Sequence, residues 1–547
     1  MRKKIFWILF ATLLTIVSCT TTTEVVPPIE PVVKEEIAVE KAPPVVETEL
    51  PAPEVVSEKR LQIVATGGVR GAIFPYSLIK ERERQSSLLN ISSYIKDERS
   101  KGETLLLVDV GDMLEESSLL SYFNRVDTTR AHIIPSVMNA MGYDAAGIGQ
   151  WDLVHCGEYC LRIASEATFP YLIANATFKV SGERLTPPYL IVERGGVKVA
   201  LLGAANPGYI PPTLVDFVAL EPIEETLKWV LPLIKGEEPD LIVGLFDSRH
   251  LDADLSDFDL IFSPSEFEGG AQTLLYANIS LDEEGAIRVE RGRLEGASFG
   301  VDQSLYNQLE GEFELAKGWF NSPVGVISES LSSRDSLFSD SKLVDLIHMV
   351  QLDKSGAELS IAPISVFDEV IGEGEVKVKD LYRIYPKDSY LVTLEMSGHE
   401  IKEYLELSYG SWFNQMTSLD DELLGELNWA QWESLAGLNY VVDITKAAGE
   451  RLSIKTSRSG EPFRRERIYS VVLNSERAYG EGSYLEALAI DPNRLNLLGE
   501  KSLRDYLIET FNESAVVDPP LDNNWLVIPN LWLQRGMKNS YPKIFAP

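Results

Sequence analysis

The chain has 547 residues, 45% of them hydrophobic, which is enough for a sizeable core and, by length, for roughly two to four domains. Eighty-three acidic residues against fifty basic ones give a formal net charge of −33. That balance argues against DNA or RNA as a partner, because polymer binding draws on Lys and Arg pairing with phosphates; it favours solubility and says nothing about fold.

The first nineteen residues read as an address. Arg2-Lys3-Lys4 form a positive segment, Ile5 to Ile16 an apolar one, and Ile16-Val17-Ser18-Cys19 resembles a bacterial lipoprotein cleavage box, in which Cys19 is lipidated and becomes the mature N-terminus. The apolar run is short of the roughly 20 residues a spanning helix needs. The expectation is a protein of the bacterial cell envelope, periplasmic or on the outer surface, whose membrane partner is reached through that lipid. From Thr20 to about Glu58 the chain is rich in Pro, Val, Glu and Thr without a period of 2 or 3.6, which predicts an extended acidic tether.

Folded sequence begins near Arg60. Apolar runs at Leu61 to Ala65, Leu105 to Val110, Tyr171 to Ala174, Val197 to Gly203 and Leu241 to Leu245 alternate with helical patterns such as Ser87 to Glu98 and Ile223 to Ile234. This alternation predicts an α/β sheet with helices on its faces. A pair near Leu274 to Leu281 and Ile287 to Glu290 reads as a hairpin closing the domain. Asp302 to Phe320 places Leu305, Leu309, Phe313 and Leu315 or Ala316 on one helical side, as a connector would. The second half alternates helices (Ser341 to Leu352, Gly398 to Ser408, Ser502 to Phe511) with strands (Leu359 to Ala362, Tyr390 to Met396, Leu438 to Ile444, Arg451 to Lys455, Tyr469 to Asn474) and ends in an aromatic tail.

Beyond Cys19, Cys156 and Cys160 stand four apart on a predicted helix, so both thiols share a face. A disulfide and two free thiols are both open. A structural zinc would take four ligands where only two sulfurs are in hand, and His155 is off that face.

Ordered motifs carry a resemblance over nearly all the folded length. In the second half these are Ile361-Ala362-Pro363-Ile364-Ser365, Val376-Lys377-Val378-Lys379-Asp380-Leu381-Tyr382, Leu394 through Glu406, and Lys501-Ser502-Leu503-Arg504-Asp505-Tyr506-Leu507. In the first half they are Gly71 with Phe74-Pro75-Tyr76, Val110-Gly111-Asp112, Met138 to Ala145, and Phe169 to Asn175. Together they resemble the bacterial 5′-nucleotidase and 2′,3′-cyclic-nucleotide 2′-phosphodiesterase family. The resemblance implies an α/β fold: a four-layer α-β-β-α metallophosphoesterase-like domain over 59–300, a connecting helix over 301–322, and an α+β 5′-nucleotidase C-terminal domain over 323–547. It also implies two divalent metals, Mn, Mg or Zn, that polarise a phosphate and generate a hydroxide.

The residues expected to hold those metals are altered. The first motif, Thr-x-Asp-x-His-Gly, reads Thr66-Gly67-Gly68-Val69-Arg70-Gly71, so Gly68 replaces the acid and Arg70 the imidazole. Gly111-Asp112 survives. Gly147-Ile148-Gly149-Gln150-Trp151-Asp152 places Gln150 for the ligand Asn and Trp151 for the catalytic His. Asp247 stands where the fourth motif has His, and Ser263-Pro264-Ser265-Glu266 replaces Gly-His-x-His. The five histidines, His132, His155, His250, His348 and His399, fall on none of these positions. A non-catalytic member without a metal cofactor is therefore expected. The alternative is a phosphoester hydrolase with Asp112, Gln150, Asp247 and Glu266 as metal ligands and Asp112 and Asp152 as catalytic groups.

The family also sandwiches a base between two aromatic rings of the second domain. Trp432, in Gln431-Trp432-Glu433-Ser434, keeps one ring, whereas Glu476 replaces the other in Asn474 to Gly482. Trp432, Arg477, Tyr479 and Tyr484 are the candidate contacts for a nucleotide or nucleoside; a core role for Trp432 is equally open. Val366-Phe367-Asp368-Glu369 replaces phosphate and ribose contacts, and two acids there would repel a phosphate.

Overall fold

The computed structural model describes residues 59–545 apart from 115–117, 150–151, 154–156, 207–217, 247–250, 268–272, 283, 426–431 and 481. Cys19, Gln150, Trp151, His155, Cys156 and Asp247 therefore lie outside the described residues.

The first half contains two sheets. In one, strand order runs Ile287–Glu295, Thr273–Leu281, Lys59–Thr66, Leu105–Asp109, Ala145–Gly147, Tyr171–Leu172. The last four are parallel, and Lys59–Thr66 pairs antiparallel with Thr273–Leu281. In the other, Leu260–Phe262, Leu241–Leu245 and Val197–Gly203 are parallel, and Tyr189–Arg194 adds an antiparallel edge.

Side-chain alternation explains the layering. Along Leu105–Asp109, Leu106 and Val108 face the second sheet and join Ile63, Val199, Leu201 and Val243 in one core. Leu105 and Leu107 face the opposite way, toward the helices Leu88–Ser100 and Ile133–Met141. The helix Ile223–Gly236 covers the far side of the second sheet through Leu227, Val230 and Ile234. The order is helix, sheet, sheet, helix. The hairpin read as closing this half is longer than expected, Thr273–Leu281 with Ile287–Glu295, and supplies two strands of the larger sheet.

The connecting helix is Gln303–Phe320. Asp302 caps it, accepting the N–H of Leu305 at 3.1 Å, and holds it to the first half through Ser92 Oγ at 2.6 Å and Lys96 Nζ at 2.7 Å. It buries Leu305, Leu309, Phe313, Ala316 and Phe320, while Leu315 stays 39% exposed. Phe313 packs on Phe74 of the first half and Phe320 on Tyr382 of the second.

The second half is built on a five-stranded sheet, Glu433–Ala436, Leu359–Pro363, Ile468–Asn474, Tyr390–Ser397, Asn496–Ser502, in which only the second and third are parallel. Capping boxes start its helices where the sequence provides Ser-x-x-acid: Ser397 with Glu400 opens Gly398–Trp412, and Ser502 with Asp505 opens Leu503–Glu513. The expected aromatic tail is structured. Trp525–Ile528 pairs parallel with Leu438–Asp443 in a three-stranded sheet, because Trp525 and Val527 reach the core, and the helix Asn530–Ile544 follows.

Polar contacts tie the halves together. Arg125 donates to Asp388 at 3.1 Å, to Ser502 Oγ at 3.2 Å and to Asp505, and Lys379 meets Glu81 at 2.5 Å. Among the described residues no helix is long and apolar enough to cross a membrane.

Candidate functional site

Parallel strands end together at one sheet edge, where loops collect around ligands in α/β proteins. Thr66 lies beside Asp109, and Asp109 beside Ala146, so the loops after these strands start from a common line. Backbone bonds then lace them: Gly68 N–H to Gly111 O at 2.9 Å, Arg70 N–H to Asp112 O at 3.2 Å and Gly71 N–H to Met113 O at 3.1 Å. The altered first motif and the surviving Gly-Asp are thus direct neighbours.

Asp152 is the knot of this edge. Its two carboxylate oxygens accept the N–H groups of Asp112 at 2.7 Å, Leu114 at 2.7 Å and Gly149 at 2.9 Å. Burial and, after it, the charge of Asp112 push its pKa up to about 7, against the pull of those three bonds. Asp112 itself adopts φ 58°. Its Oδ1 lies so close to Gly149 that a Cβ there would sit 2.1 Å away. Behind them Asp109 accepts Thr66 Oγ1 at 2.6 Å and Gly111 N–H at 2.8 Å, and burial holds its carboxyl well above the usual range. With the Thr66 hydroxyl proton given to Asp109, the bond of 2.8 Å between Thr66 Oγ1 and Tyr143 is donated by the tyrosine.

The chain leaving strand Leu260–Phe262 of the second sheet brings Phe267, which no motif marks in the sequence. A Cβ on Gly67 would lie 2.8 Å from its ring and 2.3 Å from Val110 Cγ2, and a Cβ on Gly68 would lie 3.8 Å from Phe267 Cβ. Gly68 sits at φ 56°, which L side chains rarely adopt. The Phe267 ring therefore adjoins Gly67, while at Gly68, where the resemblance implies a metal-binding acid, the nearest atom to an added Cβ is Phe267 O at 3.5 Å. Glu266 is committed elsewhere: it accepts Ser263 N–H at 2.9 Å and pairs with Arg291 at 3.0 Å. Among the described residues, no three of His, Cys, Asp and Glu at this edge bring ligand atoms within 4.8 Å of one another. Of the four expected ligands, Gln150 and Asp247 lie outside the described residues.

The trio that does meet that distance is Asp340, Asp345 and Asp522, in the second half. It is stitched internally, with the N–H of Asp522 donating to Asp345 at 3.1 Å and that of Asn524 to Asp340 at 3.3 Å. Burial first, then mutual repulsion, raise Asp340 to about 7 and Asp345 to about 8. The partners are 177 residues apart, so no local signal marks them.

The candidate base-recognition residues are brought together, but inside a packed core. Trp432 is fully buried and stacks on Trp412 at 5.2 Å and 13°. Trp412 stacks in turn near Tyr409 and Phe413, each at 5.2 Å, and donates Nε1–H to Leu337 O at 3.1 Å. Arg477 forms a fully buried ion pair with Glu433. Tyr484 is buried edge-on against Tyr404, and Tyr479 is half-buried. Trp412 thus covers one face of the Trp432 ring. In the loop after Ala362-Pro363, Asp368 pairs with Arg334, and Glu369 with Arg383 at 2.6 Å.

Of the histidines described, His132 and His348 are buried and hydrogen-bonded while His399 lies at the surface; His155 and His250 are outside the described residues.

The model of the 5′-nucleotidase C-terminal domain matches residues 323–489. A trifunctional nucleotide phosphoesterase of Bacillus subtilis is 24% identical over 89% of this chain, which spans 40% of that protein's length. A 2′,3′-cyclic-nucleotide 2′-phosphodiesterase/3′-nucleotidase of Yersinia enterocolitica is 21% identical over 85% of this chain and 87% of its own. Among solved structures, a putative 5′-nucleotidase of Staphylococcus aureus superposes with a TM-score of 0.70 at 17% identity, covering 86% of this chain and 99% of that one.

Proposed function

We propose that this chain, a relative of the bacterial 5′-nucleotidases and cyclic-nucleotide phosphodiesterases that carries their C-terminal domain, works as a non-catalytic ligand-binding or interaction module rather than as a phosphoester hydrolase. The observation that carries this reading is the packing of the Phe267 ring against Gly67, within a motif that has neither acid nor imidazole. Metal chemistry depends on ligand number and geometry, and three features work against it: Asp152 spends its oxygens on three backbone N–H groups, Glu266 is paired with Arg291, and Gly68 supplies no donor. The buried Trp412–Trp432 stack supports the same reading for the nucleoside half. The proposal includes anchoring to the cell envelope through lipid on Cys19.

The test is metal analysis of protein purified in Mn, Zn or Mg, coupled to phosphomonoester and phosphodiester assays. No stoichiometric metal and no turnover are expected. Turnover that a chelator abolishes and that Asp112→Ala removes would establish the hydrolase alternative. Labelled fatty acid should be incorporated into the wild type and not into Cys19→Ala.

A further inference from the structure

Between the halves lies a cleft of about 680 Å³ whose wall carries a short hairpin of the first half. Tyr76–Ser77 pairs with Arg82–Glu83, Ser77 Oγ accepts the N–H of Lys80 at 3.2 Å, and Glu81 turns the chain at φ 47°. The run Lys80-Glu81-Arg82-Glu83-Arg84 alternates in charge across the turn and the returning strand. Glu81 is drawn off to Lys379 of the second half, leaving Lys80, Arg82 and Arg84, with Glu83 among them, lining the cleft.

These cations are poorly compensated. Among the described residues the side chains of Lys80 and Arg82 form no ion pair or hydrogen bond, and Arg84 makes only a bond of 3.4 Å from Nε to Tyr76 O. All three are exposed. On the facing wall the carboxylate of Glu369 is already held by Arg383, which leaves Glu83 as the opposing charge. Three like charges held within five residues repel one another, and an anion seated between them relieves that cost. Arginine forks match phosphate oxygens in bidentate fashion. In a chain of net charge −33 the site is a local exception, which suits a small anion and not a nucleic-acid polymer.

We propose that this interdomain cleft binds a small polyanion bearing clustered phosphate groups, held by Lys80, Arg82 and Arg84. Neither Asp112 nor Asp152 lines this cleft, so the assignment does not depend on metal at that sheet edge.

Isothermal titration of the whole chain with pyrophosphate, run in EDTA, tests it, with inorganic phosphate and citrate as comparison ligands. One pyrophosphate per chain is expected, bound more tightly than either comparison ligand. The double variant Arg82→Ser with Arg84→Ser should weaken it by about tenfold or more, as the loss of charge-assisted contacts requires. Glu83→Gln should tighten binding, and Arg293→Ser, on the outer hairpin, should leave it unchanged. The substituted side chains are exposed, so thermal unfolding of each variant should match the wild type. Absence of saturable binding, binding that survives the double variant, or equal affinity for citrate would overturn the assignment.

Discussion

Acid should unfold this protein partly through His348, and the size of the effect follows from its surroundings. The ring is fully enclosed in the second half, with Nδ1 at 2.8 Å from Ser360 Oγ and Nε2 at 3.0 Å from Ser434 Oγ. Among the described residues no carboxylate is bonded to it, and burial lowers its pKa from 6.5 to about 3. Because the folded pKa is depressed, the unfolded chain binds the proton first. Stability from this group is intact above pH 6.5 and is lost as the pH falls from there toward 3. Linkage puts the loss at about 1.4 kcal/mol by pH 5.5 and about 2.7 kcal/mol by pH 4.5. Other groups titrate in the same window, some with the opposite sign: Asp345, raised to about 8, favours the folded state on protonation. The informative quantity is therefore a difference. Urea unfolding, followed by tryptophan fluorescence, should be compared for wild type and His348→Gln from pH 7.5 to 4.5. At pH 7.5 the variant should be the less stable by about 1 kcal/mol or more, from the altered hydrogen bonds. That gap should close and then reverse by pH 4.5. A gap that stays constant with pH would refute the reasoning, since it would mean that His348 is protonated in the folded protein or reached by water.

Gly149→Ala should cost about 1–3 kcal/mol, because the added methyl meets Asp112 Oδ1 at 2.1 Å and its backbone N at 2.6 Å, and the backbone atom cannot rotate away; an unchanged melting temperature would show that the loops are not held this tightly. Arg125→Met removes a cation that bridges Asp388 and Asp505 at the junction of the halves; Asp388 keeps Arg504, so about 1–3 kcal/mol of destabilisation by calorimetry is expected, with no loss sinking the claim that Arg125 clamps them. Trp432→Ala should cost about 3–5 kcal/mol, as cavities left by large aromatics do. If nucleoside binding is instead lost with little change in stability, Trp432 is a recognition residue.

Much of the architecture is readable wherever burial follows a local period. The connector was expected over Asp302 to Phe320 from Leu305, Leu309 and Phe313, and these side chains are buried on one face of Gln303–Phe320, with Ala316, not Leu315, completing the stripe. Leu105–Asp109 was legible as an apolar run, although which of its residues face the second sheet and which the helices depends on the partner layers. The strand Trp525–Ile528 was missed because four residues of alternating burial inside an aromatic tail carry too little pattern, and its partner lies near Tyr440, far back in the chain.

For the candidate site, the sequence by itself determined which chemical groups are present. Gly68, Arg70, Asp112 and Glu476 are read directly from the chain, and the resemblance implies an acid, an imidazole, a retained acid and an aromatic ring at those positions. What those groups do was decided only by the tertiary structure. Asp152 became a loop-holding carboxylate because three N–H groups from the loops after two neighbouring strands converge on it. Phe267 came to lie beside Gly67 because the two sheets pack face to face, across 200 residues of chain. Trp432 was left undecided between ligand and core by its own neighbours, and Trp412 settled its burial by stacking on it from another element. Local patterns encode which face of an element is buried; what it is buried against is a property of contacts distant in sequence, which propensity and periodicity do not record.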